Sequence, residues 1–450
     1  MPLNRKTNLM HLKTWRLALT GATVLLTSLG ASAQTMASQS PTKTELFGLE
    51  SALTATLTRH PAIAGKAASV QAKDFTGEAA RTQRYPTVSA QAQQLTNQGS
   101  STSATNRPDN PMTLRARQPL WAFGRIDSSI ALADTETETE RADHLRVQRQ
   151  LIENTATSYA KVHGLYKRQK VLIDNVAAHE GLRDQIGRRE TGQLASGADV
   201  RLANTRLIQA GAQKARAEGD LDVALAELRS LTQISISAEP PVAGRFTELP
   251  NADVLEALAQ LQSAELRYRA QQITRAKASV EQTKTAAMPT LYLQADKYFN
   301  QPSYADTSQL GLVLEVNFEG MGLATINRSK AAGAQVTVAE EDLRSSRNDI
   351  GRTVQSLYAS RRMQQTLALA LADSVQEVSA LLDSYKRQYV AGTKSWLDVL
   401  NLQRELSDQR LQQVQAENDW LTASLRLGAL IGGFDELLGV NPDAGLAAKE

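Results

Sequence analysis

Residues 387–401 have the sequence RQYVAGTKSWLDVLN, in which Gly392 separates two long helical patterns. Before it, apolar residues recur at steps of three and four, which places them on one helix face: Leu367, Leu371, Val375, Val378, Leu382 and Tyr389. After it, the same spacing continues through Leu397, Leu400, Leu411, Val414, Leu421 and Leu425. The stretch therefore predicts two antiparallel helices joined by a tight turn at 392–395, with Gly392 in the left-handed backbone region.

A second stretch of this kind lies in the first half of the chain. From Arg125 to about Glu190 no proline interrupts a heptad-like apolar pattern, and a helix of that length extends about 100 Å at a rise of 1.5 Å per residue. Residues 191–200, TGQLASGADV, contain turn-forming residues, and a return helix follows to about Leu231. We therefore predict a second long helical hairpin.

Four segments are predicted as β-strands, and they occur in two pairs. Met112 to Leu120 and the segment at about 309–318 alternate apolar and polar residues with the period of a strand. Thr87 to Leu95 and Met112 to Leu120 form the first pair, joined by a polar, glycine- and proline-containing loop. The second pair is Thr290 to Phe299 and a segment at about 309–318. One face of the last segment is apolar: Leu310, Leu312, Leu314, Val316 and Phe318.

The two halves share one order of elements. Pro86-Thr87 corresponds to Pro289-Thr290 at an offset of 203, and a period near 200 indicates a tandem duplication. We predict a first repeat at 34–233, a linker at 234–250, a second repeat at 251–432 and a C-terminal tail at 433–450. Within the repeats, β-hairpins are expected at 85–120 and 288–318, and long helical hairpins at 125–231 and 323–431.

Smaller features of the repeats are also predicted. Short helices are expected at 45–59 and 62–84, separated at His60-Pro61, and the second repeat is expected to begin with one continuous helix at 251–287. Matching Thr191-Gly192 with Ala391-Gly392, and Asp199 with Asp398, makes the first turn one residue longer than the second.

The N-terminus has the composition of a secretory signal peptide at 1–33. Basic residues precede an apolar run at 17–29 and the sequence Ala31-Ser32-Ala33. Removing this segment removes four basic and no acidic residues, so the formal charge changes from +3 to −1 and no nucleic-acid partner is predicted. No later apolar run approaches the ~20 residues of a helical span. The exported protein is therefore soluble, secreted, or a β-barrel.

The sequence contains no grouping that suggests catalysis. It has no cysteine, which excludes disulfides, thiol chemistry and a lipid-modified cysteine. The histidines show no metal-ligand spacing and are expected on solvated helix faces: His11, His60, His144, His163 and His179. Acidic residues at 136–140 and 340–342 are likewise expected to be solvated. We predict that the protein is not an enzyme and needs no cofactor.

Four strands cannot close a membrane barrel by themselves. Known membrane barrels have at least about eight strands, and an open sheet edge cannot lie in lipid. Three copies, contributing twelve strands, are the simplest closed solution, with Glu315 and Asn317 facing the water inside. A soluble hairpin packed on a helix remains the alternative. The predicted fold is mainly α with a small β part, made of long helical hairpins and four strands per chain.

These features resemble the TolC family of trimeric outer-membrane channels. The resemblance covers residues 44–432 and rests on the duplicated order, the stops at Tyr85-Pro86 and Met288-Pro289, and the sequence YVAGTKSWLDVL at 389–400. It implies a homotrimer in the outer membrane of a Gram-negative bacterium. A twelve-stranded transmembrane β-barrel would cross the lipid bilayer, and a trimeric α-barrel tunnel would extend into the periplasm.

The resemblance also implies partners and a cargo class. The helical tips would be narrowed when idle and opened on docking a periplasmic adaptor (membrane fusion) protein and an inner-membrane ABC exporter or proton-driven pump. Residues 391–401 further resemble channels paired with ABC exporters of large adhesins, which implies type I secretion of a large protein. The same fold serving a multidrug efflux pump, and an exported coiled-coil structural protein without a pore, are the alternatives.

Individual tip residues acquire expected roles from the resemblance. Asp398 matches an acidic ring at the periplasmic constriction, and Asn401 matches a second such position without its charge. Tyr389 and Lys394 match positions that bond to the neighbouring helix pair, with Asp199 as the acceptor. The turns Thr191-Gly192 and Ala391-Gly392 match the adaptor-docking tips.

Simpler roles stay open for these residues. An acid near a helix start is stabilised by the helix dipole, which would be sufficient for Asp398. Tyr389 would be a residue of the helical seam, and the glycine-containing segments would be plain turns.

Overall fold

All residues described here belong to one compact unit, Thr44–Glu450. The computed structural model describes residues 48–93, 112–235, 247–299, 307–317 and 319–440. The helices are α1 Leu49–Arg59, α2 Pro61–Arg81, α3 Arg125–Thr191, α4 Gly197–Thr232, α5 Ala252–Gln262, α6 Ala264–Thr285, α7 Leu323–Val390, α8 Trp396–Leu430 and α9 Asp435–Leu438. The strands are β1 Thr87–Ala92, β2 Met112–Trp121, β3 Thr290–Phe299 and β4 Ser308–Glu315.

Two rods, α3 and α7, organise the molecule. They contain 67 and 68 residues and so extend about 100 Å each. The return helices α4 and α8 are about half as long, with 36 and 35 residues. In the half near the turns, α4, α3, α8 and α7 lie side by side in that order, and in the other half the order is α2, α3, α6, α7. The predicted mainly α fold of long helical hairpins is confirmed.

Breaks between the shorter helices have local causes. Pro61 occupies the first position of α2, where its missing N–H costs nothing, and the His60 imidazole accepts a hydrogen bond from the Ala62 N–H. The single helix predicted at 251–287 is wrong, because α5 ends at Gln262 and α6 begins at Ala264. Ser263 lies between them, and its Oγ accepts from the Leu266 N–H, which caps α6 in place of a continuous helix.

The four strands form one antiparallel sheet in the order β1-β2-β3-β4. One row of paired residues is apolar across the whole sheet: Val88, Ala116, Ala295 and Leu310. Side chains on the opposite face are mainly polar, and there the Arg117 guanidinium donates to Gln294 at 2.7 Å and to Glu315 at 3.0 Å. Because side chains alternate along each strand, the sheet has one apolar and one polar face.

Strand ends differ from the prediction in detail. β4 ends at Glu315, so Val316 lies beyond the strand. The predicted end of the first strand, Leu95, and the last residue of the predicted apolar row, Phe318, lie outside the described residues. Leu310, Leu312 and Leu314 are 74%, 67% and 60% exposed in the single chain, so this apolar face has no cover from the described part of the chain.

The main core lies midway along the rods, where α1, α3, α4 and α8 meet. It contains fully buried side chains such as Leu53, Tyr159, Leu228 and Leu425. The segment after 432, predicted as a tail, begins with α9. A buried ion pair between Arg149 of α3 and Asp435 holds α9 in place, and Phe434 is buried in the same core. None of the described helices is long and apolar enough to cross a membrane.

Candidate functional site

The two helix-connecting turns follow the same backbone path. In the first turn the N–H groups of residues 192, 193 and 194 donate to the carbonyls of 188, 190 and 189, and in the second the same three bonds recur 199 residues later. The left-handed position is Gln193, with φ 56°, in the first turn and Gly392, with φ 79°, in the second. Gly392 therefore has the predicted conformation. The extra residue predicted in the first turn is absent, because the equivalent of Gly392 is Gln193 and not Gly192.

Each return helix begins with a capping box. Ser196 Oγ accepts from the Asp199 N–H at 3.2 Å, and the Asp199 carboxylate accepts from the Ser196 N–H at 3.2 Å. Ser395 and Asp398 repeat this arrangement with the same distances. Hydrogen bonds from the Ser395 side chain and backbone, with a smaller contribution from the Lys394 charge, lower the pKa of Asp398 below its ordinary value. Both aspartates thus stabilise helix starts, the simpler role left open for Asp398.

One apolar cluster lies beneath both turns, and we call it the tip cluster. It takes residues from all four helices that end there: Leu182, Ile186, Ala203, Leu382, Tyr389, Trp396, Val399, Leu400 and Leu406. Burial of these side chains from both hairpins joins the two turns into one unit. The turn residues themselves are exposed at the outer end of this unit: Thr191, Gly192, Ala391 and Gly392.

Tyr389 lies at the centre of the tip cluster and is 8% exposed. Its ring packs against Trp396, with centroids 5.1 Å apart and planes at 48°. The guanidinium carbon of Arg189 lies 4.6 Å from the centroid of the same ring. Burial raises the pKa of the Tyr389 phenol, and the positive charge of Arg189 opposes part of this rise. An aromatic ring in contact with a guanidinium is a favourable cation–π geometry.

The remaining predicted tip residues lie near this unit. Lys394 Nζ lies 4.4 Å above the ring of Tyr385, within its own hairpin. Asn401 is exposed on the first turns of α8, and Asp398 is partly exposed. Within the described part of the single chain, Lys394 and Asp199 form no ion pair with each other. The Asp199 carboxylate instead accepts from Ser196 Oγ at 2.7 Å.

Arg189 and Trp396 are site residues that the sequence interpretation missed. Trp396 is 4% exposed, and a tryptophan at the first position of a helix, seven residues after Tyr389, is a signal that could have indicated an aromatic pair. Arg189 carries no such signal. Its contact with Tyr389 joins residues 200 apart in the chain and depends on how the hairpins pack.

Two expectations about charged residues are corrected. Acids at 136–140 do not lie on a solvated face, because Glu136 pairs with Lys73 at 2.8 Å and Glu140 with Lys66 at 2.9 Å, joining α3 to α2. His179 is also not solvated, since it is 4% exposed and burial lowers its pKa. Periodicity places such residues on a helix face but does not say which helix covers that face.

Comparison with known proteins agrees with this architecture. The family model "outer membrane efflux protein" matches residues 52–232 and 255–433. Outer membrane protein TolC of Salmonella enteritidis is 24% identical over 364 residues, covering 76% of this chain and 73% of that protein.

Solved structures have the same fold. The outer-membrane channel OprN superposes with a TM-score of 0.74 at 17% identity, covering 88% of this chain and 94% of that one. Outer membrane protein VceC of Vibrio cholerae superposes with a TM-score of 0.72 at 16% identity, with coverages of 85% and 96%. The family match extends over most of the chain, so the chain belongs to the outer membrane efflux protein family and is an outer-membrane efflux channel of the TolC family.

Proposed function

We propose that this chain works as a homotrimeric channel-tunnel, closed at the helical tips when idle and opened by a docking partner. The observation that carries the proposal is the unequal burial of the two rods. α3 buries 21 of its residues within the chain, whereas α7 buries five. α7 stands at the edge of both helix rows, and apolar residues along it are 44–64% exposed: Ile326, Val338, Met363, Leu367, Leu369 and Leu381.

An edge helix of this length with exposed apolar residues needs a neighbour. In a ring of three copies, α7 of one chain would pack against α2 and α4 of the next, since these are the opposite edges of the two rows. The same ring would join β4 of one chain to β1 of the next and so close twelve strands into a barrel. Its apolar face would contact lipid and its polar face would line the water-filled interior.

The closed end of the tunnel is proposed at the tip cluster. Capping hydrogen bonds lower the pKa of Asp398 and so favour its ionised form. Three copies of this carboxylate around a narrow axis would attract cations and repel one another. Asn401, on the same helix, would line the constriction without charge. Tyr389, Lys394 and Asp199 would hold the tip shut through contacts between neighbouring helix pairs, and release of these contacts would open it.

The exposed turns are the proposed docking surface. Thr191, Gly192, Ala391 and Gly392 are exposed at the turns, where an adaptor protein would reach them without entering the tunnel. The adaptor would connect the channel to an inner-membrane ABC exporter or proton-driven pump. Within this scheme we propose type I secretion of a large protein, such as an adhesin, which is what the resemblance of residues 391–401 to adhesin-export channels implies. Multidrug efflux through the same tunnel is the second candidate.

An export assay in the native bacterium separates these two candidates. Deletion of the gene is expected to leave a large protein inside the cell and to leave drug susceptibility unchanged, with both properties measured in the same strains. Complementation with the wild-type gene should restore export, and the Gly392→Pro variant, which disrupts the docking turn, should not. Increased drug susceptibility with an unchanged set of exported proteins would contradict type I secretion and support multidrug efflux.

A further inference from the structure

Arg189 makes two contacts with the opposite hairpin. Its guanidinium carbon lies 4.6 Å from the Tyr389 ring centroid, and its Nη1 donates to the Tyr389 carbonyl oxygen at 3.5 Å. Arg189 belongs to the last turn of α3, whereas Tyr389 belongs to the last turn of α7. One side chain of the first hairpin therefore binds both the ring and the backbone of the second.

The other aromatic contact of Tyr389 stays within its own hairpin. Trp396 is the first residue of α8, and Tyr389 precedes it on α7, so the two rings move together when the hairpins separate. Movement of the first hairpin away from the second leaves that stacking in place and breaks the contacts of Arg189. The cation–π pair is therefore lost when the two hairpins separate, even if each hairpin stays folded.

The chemistry of arginine suits this double contact. A guanidinium is planar, so it can stack on a ring while its edge donates hydrogen bonds, which a lysine ammonium cannot do in one position. Among the described residues, no carboxylate pairs with Arg189, and its Nε is buried without a hydrogen-bond partner. The Asp199 carboxylate accepts from Ser196 through one of its oxygens, and no ion pair joins it to Arg189 within the described residues. Tyr389 is thus the principal partner of the Arg189 charge.

We propose that Arg189 is a positioning residue of the gate, which latches the first helical hairpin onto the second through Tyr389 and holds the tip closed in the idle channel. This inference rests on the proposed channel function. Opening the tip then requires loss of the cation–π contact and solvation of a buried phenol face. Cation–π pairs at partly buried sites shift an equilibrium by a factor of roughly 3 to 30.

The test is the idle open probability of purified trimers in planar bilayers. Arg189→Ala is expected to raise it by a factor of roughly 3 to 30 over wild type. Arg188→Ala is the matched control, because Arg188 is the adjacent, exposed arginine. This substitution is expected to leave the idle open probability unchanged. Native mass measurement verifies that each variant is assembled. Arg189→Gln, which loses the charge but keeps a donor, replaces Arg189→Ala if the alanine variant does not assemble.

A double-mutant cycle distinguishes a latch from a general loss of packing. If Arg189 acts through the Tyr389 ring, Arg189→Ala should have a smaller effect in the Tyr389→Leu background, where only the hydrogen bond to the backbone carbonyl of residue 389 remains. Equal effects in both backgrounds would overturn the latch. Conducting wild-type trimers with Arg189→Ala indistinguishable from Arg188→Ala would also overturn it while leaving the channel intact. Wild-type protein that forms no conducting trimer would overturn the proposed function itself.

Discussion

The two turns of this molecule share one backbone conformation but differ in their side chains. Their hydrogen bonds and capping boxes are equivalent at an offset of 199 residues, as expected of a duplicated unit. The second turn has glycine at the left-handed position and a buried tryptophan at the helix start, whereas the first has Gln193 and Gly197 at those positions. Both turns keep the same backbone geometry, while the buried aromatic residues are concentrated in the second turn.

Removing the tryptophan should give the largest difference between the turns. Trp396→Ala is expected to destabilise the second hairpin tip by about 3–5 kcal/mol, since it deletes a buried ring that contacts Tyr389. The equivalent change in the first turn, Gly197→Ala, should stabilise that tip slightly, because no heavy atom lies closer than 3.9 Å to the added methyl group. Hydrogen exchange with mass spectrometry of residues 385–405 and 186–206 measures both effects. Equal loss of protection in the two variants would contradict the asymmetry.

Exchanging the residues at the two left-handed positions should change stability by less, and with opposite sign in the two turns. Gly392→Gln is expected to cost about 1–2 kcal/mol, because a side chain at φ 79° is strained even though nothing lies within 4 Å of its Cβ. Gln193→Gly relieves the same strain and should stabilise the first tip by somewhat less, since glycine also increases the entropy of the unfolded chain. Protease sensitivity of the two tips provides the measurement. A Gln193→Gly variant that is cleaved faster than wild type would count against this explanation.

The caps should behave alike, which tests the shared part of the comparison. Ser196→Ala and Ser395→Ala each remove one side-chain acceptor from a helix N-terminus and are expected to cost about 1 kcal/mol. Protection of the backbone amides in the first turn of α4 and of α8, measured by hydrogen exchange, should decrease to a similar extent. A loss confined to one helix would show that the two capping boxes are not energetically equivalent.

Acidification should weaken the second cap. The pKa of Asp398 is lower in the folded state than its ordinary value, so its carboxylate contributes stability above about pH 4, and this contribution is lost as the pH falls through the folded pKa. Amide protection at 395–399 is therefore expected to decrease below about pH 4 in wild type. Asp398→Asn should show weaker protection at neutral pH and a flatter pH profile, and a wild-type profile in this variant would assign the effect to another group.

Much of the fold could be predicted from local patterns. The long apolar periodicity predicted α3 from Arg125 to about Glu190, and the helix ends at Thr191. The strand predicted at 290–299, after the stop at Met288-Pro289, matches the bounds of β3. These patterns are strong because each residue of a long element repeats the same signal. The split at Ser263 was missed because one serine within a helical pattern is a weak signal, and the extra turn residue was predicted because glycines were matched by type instead of by conformation.

Side-chain partners at the tip could not be predicted in the same way. Asp199 and Asp398 were singled out through the family resemblance, and the capping boxes they form were not predicted. Arg189 was missed because it lies 200 residues from Tyr389. The pairing of Glu136 with Lys73 could not be predicted for the same reason, because it depends on how α2 packs along α3. The roles of Asp398, Asn401, Tyr389, Lys394 and Asp199 in gating stay predictions, as a single chain contains no neighbouring protomer to contact.

The most direct test of the proposed channel combines native mass and single-channel conductance on one detergent-purified sample of the mature protein. We predict a trimer that conducts, with a low idle open probability, because the edge helix α7 and the apolar face of the sheet both need neighbouring copies. A monomer or dimer that remains in solution without detergent and does not conduct would contradict the account.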